Sequence, residues 1–219
     1  MKNLYNTLFL VIAFTIQLTA QNGAKNDPDA KKILDDVSAK FKTYKTVKAS
    51  FTYKVENAAG KILSSKAGTI FMKGTKYRVT IVGQEIFCDG NNVWTYDKSA
   101  NEVTITKFDG ESTTLTPQKL FTNFYDQDFL YKLNGEKKEG KKVLQEIEMT
   151  PTDKSKPFHK VYIYVDKAAK TLNSTKVLEK SGSKYSYTVN TLTPNSVIAD
   201  TQFVFDAKKY PGVEVVDLR

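Results

Sequence analysis

Hydrophobic residues recur at two different spacings along this chain, and the first spacing predicts a helix. Between positions 29 and 44 the apolar residues lie three or four apart, as on one face of an α-helix. They are Ile33, Leu34, Val37 and Phe41. Asp27 or Asp29 can cap this helix, and Pro28 suits its first turn. The segment therefore predicts an amphipathic helix whose apolar side needs a partner.

From Val47 onward apolar and polar residues alternate, which is the pattern of strands with one buried face. Phe51 and Tyr53, for example, are separated by Thr52. About eleven short segments of this kind reach position 205, separated by turn residues such as Asn134–Gly135. Strands and helices do not alternate regularly, so a parallel sheet is not expected. The pattern predicts one long, strongly curved antiparallel sheet.

A second helix interrupts the strand pattern. Thr116 suits an N-cap and Pro117 a first helical position, which predicts a helix over residues 117–125. The chain is therefore expected to be mainly β with α elements, in the α+β class. We expect the two amphipathic helices to cover the hidden face of the curved sheet. A sheet wrapped around helices in this way leaves room for an apolar cavity.

The first twenty residues are of another kind. A positive start at Lys2 precedes the apolar run Leu8–Phe14, and Leu18–Ala20 fits a cleavage site. The run is too short to span a bilayer, so the pattern predicts a signal peptide over 1–20, with a signal-anchor as the alternative. Residues 21–219 are then one exported domain. The residue directly after the cleavage site is Gln21 and not a cysteine, so the mature chain is not expected to carry a lipid itself.

The charge composition limits the kinds of partner that the chain is expected to bind. The chain has 219 residues with 33 Lys+Arg against 24 Asp+Glu, a formal charge of +9. Only Arg78 and Arg219 are arginines, whereas recognition of nucleic acid usually recruits arginine. A lysine-rich solubilising surface is expected, with attraction to an anionic membrane or an acidic partner as the alternative. No nucleic-acid partner is predicted.

Catalytic and metal-binding residue types are scarce. There is one histidine, His159, and one cysteine, Cys88. Phosphate-loop, dinucleotide-glycine, nucleophile-elbow and zinc-protease motifs do not occur in the sequence. We therefore expect no enzyme, no cofactor and no metal site, although a hydrolase that uses carboxylates alone stays open.

Six segments follow one another along the chain, and together they form a recognisable series. They are Ala49–Val55, Gly68–Lys73, Lys76–Arg78, Cys88–Asp97, Leu115–Pro117, and Phe203–Phe205 followed by Pro211–Asp217. Taken in order, these segments resemble the LolA family of periplasmic outer-membrane lipoprotein carriers. The hairpin Cys88–Asp97, with its Asp-Gly pair followed by Trp94 and Tyr96, is the most specific of them. The resemblance implies an incomplete antiparallel β-barrel, closed by helices over an apolar interior that shields acyl chains.

The resemblance also implies partners and a compartment. Such a carrier works in the periplasm, takes lipoproteins from an ATP-driven inner-membrane exporter and passes them to an outer-membrane acceptor. A monomer fits this shuttle best. Two alternatives stay open, namely a carrier or sensor of another lipid on the same fold, and a secreted structural β-protein without a cavity.

The expected lipid-binding residues are the apolar and aromatic ones that alternate on strands or face inward from helices. They are Leu34, Val37, Phe41, Phe51, Tyr53, Val55, Ile70, Met72, Tyr77, Val79, Ile81, Phe87, Trp94, Leu120, Phe124, Ile147, Met149 and Tyr164. A gating role comes from the resemblance alone. Where the family often has Arg-Pro after the second main strand, this chain has Lys73–Gly74, so Lys73 is the candidate that holds the lid helices.

Overall fold

The computed structural model describes residues 26–109 and 125–219. The predicted signal peptide lies outside this range, as does the predicted helix 117–125 except for its last residue. A four-residue helix, Tyr125–Asp128, begins where the description resumes.

The N-terminal helix forms where the apolar spacing predicts it. Helix α1 spans Pro28–Lys42, two residues shorter at its C-terminal end than predicted. Asp27 is the N-cap, because its Oδ1 accepts a hydrogen bond from the backbone N–H of Asp29 at 2.9 Å. Leu34 is buried, so the apolar side of the helix faces the protein interior.

All strands belong to one open sheet. Within the described residues they are β1 (Val47–Glu56), β2 (Ile62–Lys73), β3 (Lys76–Ile81), β4 (Gln84–Cys88), β5 (Asn92–Asp97), β6 (Glu102–Lys107), β7 (Phe129–Glu139), β8 (Lys142–Pro151), β9 (Phe158–Asp166), β10 (Thr171–Glu179), β11 (Lys184–Pro194) and β12 (Glu214–Asp217). Their order is β12-β6-β5-β4-β3-β2-β1-β11-β10-β9-β8-β7. Neighbours are antiparallel except β12, which runs parallel to β6. The sheet has β12 and β7 at its two edges and is not closed into a barrel.

Residues 62–73 form one strand that continues through Gly68. Two local predictions are wrong in instructive ways. Asn134–Gly135 is not a turn, because β7 continues through it with a register shift and a positive φ of 127° at Gly135. The predicted strand 201–205 is largely a 3₁₀ helix, Asp200–Phe203, since it packs onto the sheet instead of extending it.

Helix α1 covers one face of the sheet, which we call the helix face. Near α1 this face holds a closed core that includes Leu34, Ile147, Met149 and Ile163 on the helix and strands β8 and β9. A second buried cluster lies on β1–β4 and consists of Val47, Ala49, Ile70, Met72, Tyr77 and Cys88. Both clusters follow the two-residue alternation of the strands.

The C-terminal segment, residues 195–213, covers the opposite face of β3–β6. The ring of Phe205 lies 5.7 Å from that of Phe87 and 5.9 Å from that of Tyr96, measured between centroids. Arg78 donates to Gln202 Oε1 at 3.0 Å and forms a 2.6 Å ion pair with Glu85. Phe203 is fully buried. The sheet is therefore packed on both faces, by a helix at one end and by an irregular strap at the other.

Candidate functional site

Between the two clusters the helix face carries half-exposed aromatic rings. We call Phe51, Tyr53, Tyr185 and Tyr187 the aromatic patch. Tyr53 lies opposite Tyr187 in the pairing of β1 with β11, and their ring centroids are 4.8 Å apart. Tyr53 and Tyr185 are stacked at 6.1 Å, and Phe51 lies 6.2 Å from Tyr187. The four rings thus form one continuous aromatic surface across β1 and β11.

The patch is only partly closed. Tyr187 is 40% exposed, whereas Ile147 and Met149 on the same face are 0% exposed. A surface of aromatic rings on a rigid sheet offers a large apolar area at a small entropic cost, since each ring has few rotatable bonds. This part of the helix face can therefore take up an apolar ligand without unpacking a core.

A glycine sets the position of one ring. Phe51 pairs with Gly68 in the register of β1 and β2, and a Cβ on Gly68 would lie 2.4 Å from Cζ of Phe51. The Phe51 ring therefore lies directly over the backbone of β2, which only a residue without a side chain permits. Gly68 therefore allows the Phe51 ring to lie flat against the sheet.

The hydroxyl groups of Tyr53 and Tyr187 stay neutral over the ordinary pH range. Burial raises the pKa of Tyr53 to about 12, with further contributions from Tyr187, Tyr185 and Glu179. Burial also raises the pKa of Tyr187, assisted by Tyr185. Tyr53 and Tyr187 thus present uncharged rings with polar tips, which suits contact with an apolar chain close to water.

An open groove of about 710 Å³ lies where the β3–β4 hairpin ends and β2 continues past it. Ala67 and Gly68 of β2 and Val82 of the hairpin turn are part of its lining. Most other lining side chains, such as Thr69, Thr80 and Glu85, lie on the face opposite the helix face. The groove is therefore separate from the aromatic patch.

Most of the predicted lipid-binding residues share the helix face or the side of α1 that packs against it. They are Leu34, Val37, Phe41, Phe51, Tyr53, Val55, Ile70, Met72, Tyr77, Val79, Ile81, Ile147 and Met149. Their burial separates them, since Ile147, Met149 and Met72 are fully enclosed and Phe51, Tyr53 and Val55 are half-buried. The half-buried group is the one that a ligand can reach.

Three predicted residues lie on the opposite face. Phe87 pairs with Arg78 and Trp94, away from Tyr77 and Cys88, and it packs against Phe205. Tyr164 pairs with Glu146, and the Nζ of Lys137 lies 3.8 Å from the centre of its ring. These side chains are separated by the sheet itself from the aromatic patch. Leu120 and Phe124 lie outside the described residues.

Sequence reasoning missed Tyr185 and Tyr187, which form half of the patch. The signal was available, because these tyrosines alternate with Ser186 and Thr188 in the same way that Phe51 and Tyr53 alternate with Thr52.

Lys73 contacts the C-terminal segment. Its Nζ lies 2.9 Å from Oδ1 of Asp200, and Nζ of Lys76 lies 3.4 Å from Oδ2 of the same carboxylate. The predicted helix 117–125 lies outside the described residues, so a gating role for Lys73 stays a prediction. The described contact ties the strap to the β2–β3 turn.

The described residues contain neither a group of metal-binding side chains nor a helix suited to span a membrane. Over 26–109 and 125–219, no three or more His, Cys, Asp or Glu side chains are grouped so as to hold a metal ion. In the same ranges no helix has the length and apolar character needed to cross a membrane.

Comparison with known proteins identifies the family. The family described as "Outer membrane lipoprotein carrier protein LolA" matches this chain over residues 42–206, so the chain belongs to it. This match agrees with the segments that resemble the family, from Ala49–Val55 to Phe203–Phe205. No curated protein sequence matches this chain.

Solved structures are similar to this chain at low sequence identity. An uncharacterized conserved protein from Thermus thermophilus is 13% identical with a TM-score of 0.59, covering 86% of this chain and 99% of its own. LprF from Mycobacterium bovis is 11% identical with a TM-score of 0.47, covering 80% and 99%. A LolA-superfamily protein from Nitrosomonas europaea is 13% identical with a TM-score of 0.41, covering 80% and 97%. At this identity, the likeness to the Thermus protein concerns the fold alone.

Proposed function

We propose that this chain is a periplasmic carrier that binds the acyl chains of lipoproteins released from the inner membrane and delivers them to the outer membrane. The observation that carries the proposal is the half-exposed aromatic patch, which lies on the helix face between two closed clusters. Membership of the LolA family supports the cargo class.

The energetics fit a carrier. The transfer of an acyl chain from an apolar site into water costs roughly 0.8 kcal/mol of free energy per CH₂. A soluble carrier must therefore offer an extended apolar surface. The cargo must also leave, which a closed core such as that around Ile147 would prevent. Half-buried Phe51, Tyr53 and Val55 meet both needs, because they are fixed by strand pairing and still accessible.

The partners follow from the same proposal. Cargo arrives from an ATP-driven inner-membrane exporter and leaves to an outer-membrane acceptor, and the carrier works as a monomer. The predicted signal peptide over 1–20 supports export to the periplasm. No catalytic step is needed, because uptake and release are changes of binding partner.

A transfer assay tests the proposal. Inner-membrane vesicles that hold the exporter and a labelled lipoprotein are mixed with ATP and the mature chain, and soluble lipoprotein is measured. Tyr187→Glu places a charge in the aromatic patch, so we expect it to reduce release about tenfold or more. Thr188→Glu adds the same charge one residue further along β11, on the opposite face, and should release lipoprotein as the wild type does.

Two outcomes contradict the proposal. If Tyr187→Glu and Thr188→Glu release the same amount of lipoprotein, the aromatic patch is not part of the binding site. No release by the folded wild type, together with a different lipid recovered by solvent extraction of the purified protein, replaces lipoprotein with that lipid as the cargo.

A further inference from the structure

One stretch of β2 has a strand neighbour on one side only. Strand β2 spans Ile62–Lys73, but β3 pairs with it only from Gly68 to Lys73. Residues 62–67 pair with β1, and within the described ranges no strand lies on their other side. We call residues 62–67 the β2 extension.

The direction of the backbone groups follows from the hairpin. The two-residue turn Gly74–Thr75 closes the pair Lys73 and Lys76, so the N–H and C=O of Lys73 point to β3. Along an antiparallel strand this direction alternates, and odd-numbered residues of β2 therefore point the same way. Ser65 and Ala67 thus direct their backbone groups away from β1, toward the open side.

The edge strand at one end of the sheet is protected. At β7, the Asn26 side chain accepts a hydrogen bond from the N–H of Tyr131, and the Asp27 side chain accepts one from the N–H of Leu133, each at 2.9 Å. The backbone N–H of Asp27 donates to the carbonyl of Tyr131 at 3.1 Å. The edge strand at the other end, β12, has only four residues. Natural sheets protect their edges in these ways, so an unprotected stretch is a site for strand pairing.

The surroundings of the β2 extension leave space for a strand. Ala67 and Gly68 line the 710 Å³ groove, on the side where β3 turns back at Val82. Ile62 and Leu63 are 53% and 61% exposed, although both are apolar. A strand laid along the extension would fill this space and cover these side chains.

The charge at this place is positive. Lys61 and Lys66 form no ion pair with described residues, while nearby Glu56 is paired with Lys176 at 3.5 Å. Lys66 lies opposite Tyr53 in the register of β1 and β2, so it borders the aromatic patch. A carboxylate on a guest strand opposite Lys66 would be favoured as a cross-strand pair.

We infer that the β2 extension takes up an extended, carboxylate-bearing stretch of the cargo's own polypeptide by strand addition, while the attached acyl chain lies on the aromatic patch. The inference rests on the proposed function and adds a second contact to it. Main-chain hydrogen bonds to Ser65 and Ala67 supply affinity that does not depend on the cargo's sequence, and Lys66 favours acidic residues.

The test uses two probes, palmitate and a palmitoylated cysteine peptide with a Ser/Asp-rich tail. Ser65→Pro removes one outward N–H and leaves the pairing with β1 intact, since proline is tolerated on a free strand edge. We expect it to weaken binding of the lipopeptide about three- to tenfold and to leave palmitate binding unchanged. Ser65→Ala keeps the N–H and should bind both probes as the wild type does.

Amide hydrogen exchange gives a direct readout in the wild type. The lipopeptide should slow exchange at Leu63 and Ala67, and palmitate should not. If lipopeptide leaves their exchange unchanged and Ser65→Pro binds it normally, strand addition is wrong while the acyl site stands. If the wild type binds neither probe, the proposed function fails. Slow exchange that depends on protein concentration without any probe would assign the edge to a second copy and overturn the inference.

Discussion

The helix face of this sheet is built differently in two neighbouring regions, although both follow the same alternating pattern. Under α1, aliphatic side chains such as Ile147, Met149 and Ile163 close into a core. Across β1 and β11, the rings of Tyr53 and Tyr187 stand side by side and remain partly exposed. The difference lies in what covers the face. A described helix packs over the first region, and the second keeps a partly exposed aromatic surface.

This contrast separates stability from binding. A core residue contributes by filling space that nothing else can fill, so its loss leaves a cavity. A ring in the patch already contacts water, so its removal costs the fold little and costs a ligand more. Substitutions in the two regions should therefore affect different measurements.

The largest expected effect on stability is at Ile147. Ile147→Ala should lower the free energy of unfolding by about 2–5 kcal/mol, because the side chain is fully buried. Tyr187→Ala should cost about 1 kcal/mol, the value of an aromatic pair. Urea unfolding of both variants measures the difference. Palmitate affinity should fall more in Tyr187→Ala than in Ile147→Ala.

Equal destabilisation by the two substitutions would contradict the contrast. It would mean that the aromatic patch is as tightly packed as the core under α1 and has no separate role in binding.

The next effect is at the glycine beneath Phe51. Gly68→Val forces the Phe51 ring off the sheet, because even a Cβ would lie 2.4 Å from it. We expect a loss of about 1–3 kcal/mol in the free energy of unfolding, together with weaker palmitate binding. Ala67→Val is the matched control, since Ala67 is exposed and belongs to the same strand. If Gly68→Val binds palmitate normally, the flat position of Phe51 is not needed for the site.

The sequence was sufficient to predict α1, an aspartate cap at Asp27 or Asp29, most of the strands and the family, because each depends on local spacing or local motifs. It was not sufficient to assign faces where three apolar residues follow one another. Ile86, Phe87 and Cys88 are all apolar, so only the pairing with β3 shows that Phe87 points away from the patch.

The C-terminal segment was mispredicted for a related reason. Phe203 and Phe205 alternate as strand residues do, yet they pack onto the opposite face as part of a strap. Their burial depends on a sheet formed much earlier in the chain, which no local pattern reports. For Tyr185 and Tyr187 the sequence shows the strand alternation correctly. It does not show that β11 pairs with β1, which places these rings beside Tyr53.

The next prediction concerns the alkaline pH dependence of stability that Tyr53 of the patch contributes. The pKa of Tyr53 is raised by burial to about 12, from an ordinary value of 10.0, so the fold favours its neutral form. The stability that this contributes is complete below pH 10 and is lost as the pH rises through about 12. Tyr53→Phe should therefore lose less stability than the wild type over this range.

The measurement is unfolding by urea at several alkaline pH values. Burial raises the pKa of Tyr77 and Tyr164 to about 12 as well, so the wild type keeps part of its pH dependence in the variant. Identical profiles for Tyr53→Phe and the wild type would show that the patch does not hold the Tyr53 hydroxyl away from water.

The smallest effect is an acid one, on the strands whose other face packs against α1. Glu148 lies on the opposite face of β8, where Nζ of Lys160 is 2.7 Å from its Oε1. The hydrogen bond from Lys160 lowers the pKa of Glu148, assisted by Asn134 and by the charges of Lys160 and Lys132. Its contribution is present above the ordinary glutamate pKa and is lost as the pH falls through the lowered value. Glu148→Gln should remove this acid-dependent contribution to the free energy of unfolding, which is below about 1 kcal/mol, and Lys160→Met should remove the same contribution.

Acid unfolding followed by circular dichroism measures both variants. Palmitate binding at neutral pH should stay at the wild-type level, because the pair of Glu148 and Lys160 lies across the sheet from the patch. A variant that loses binding while keeping its acid profile would connect the two regions that the comparison separates.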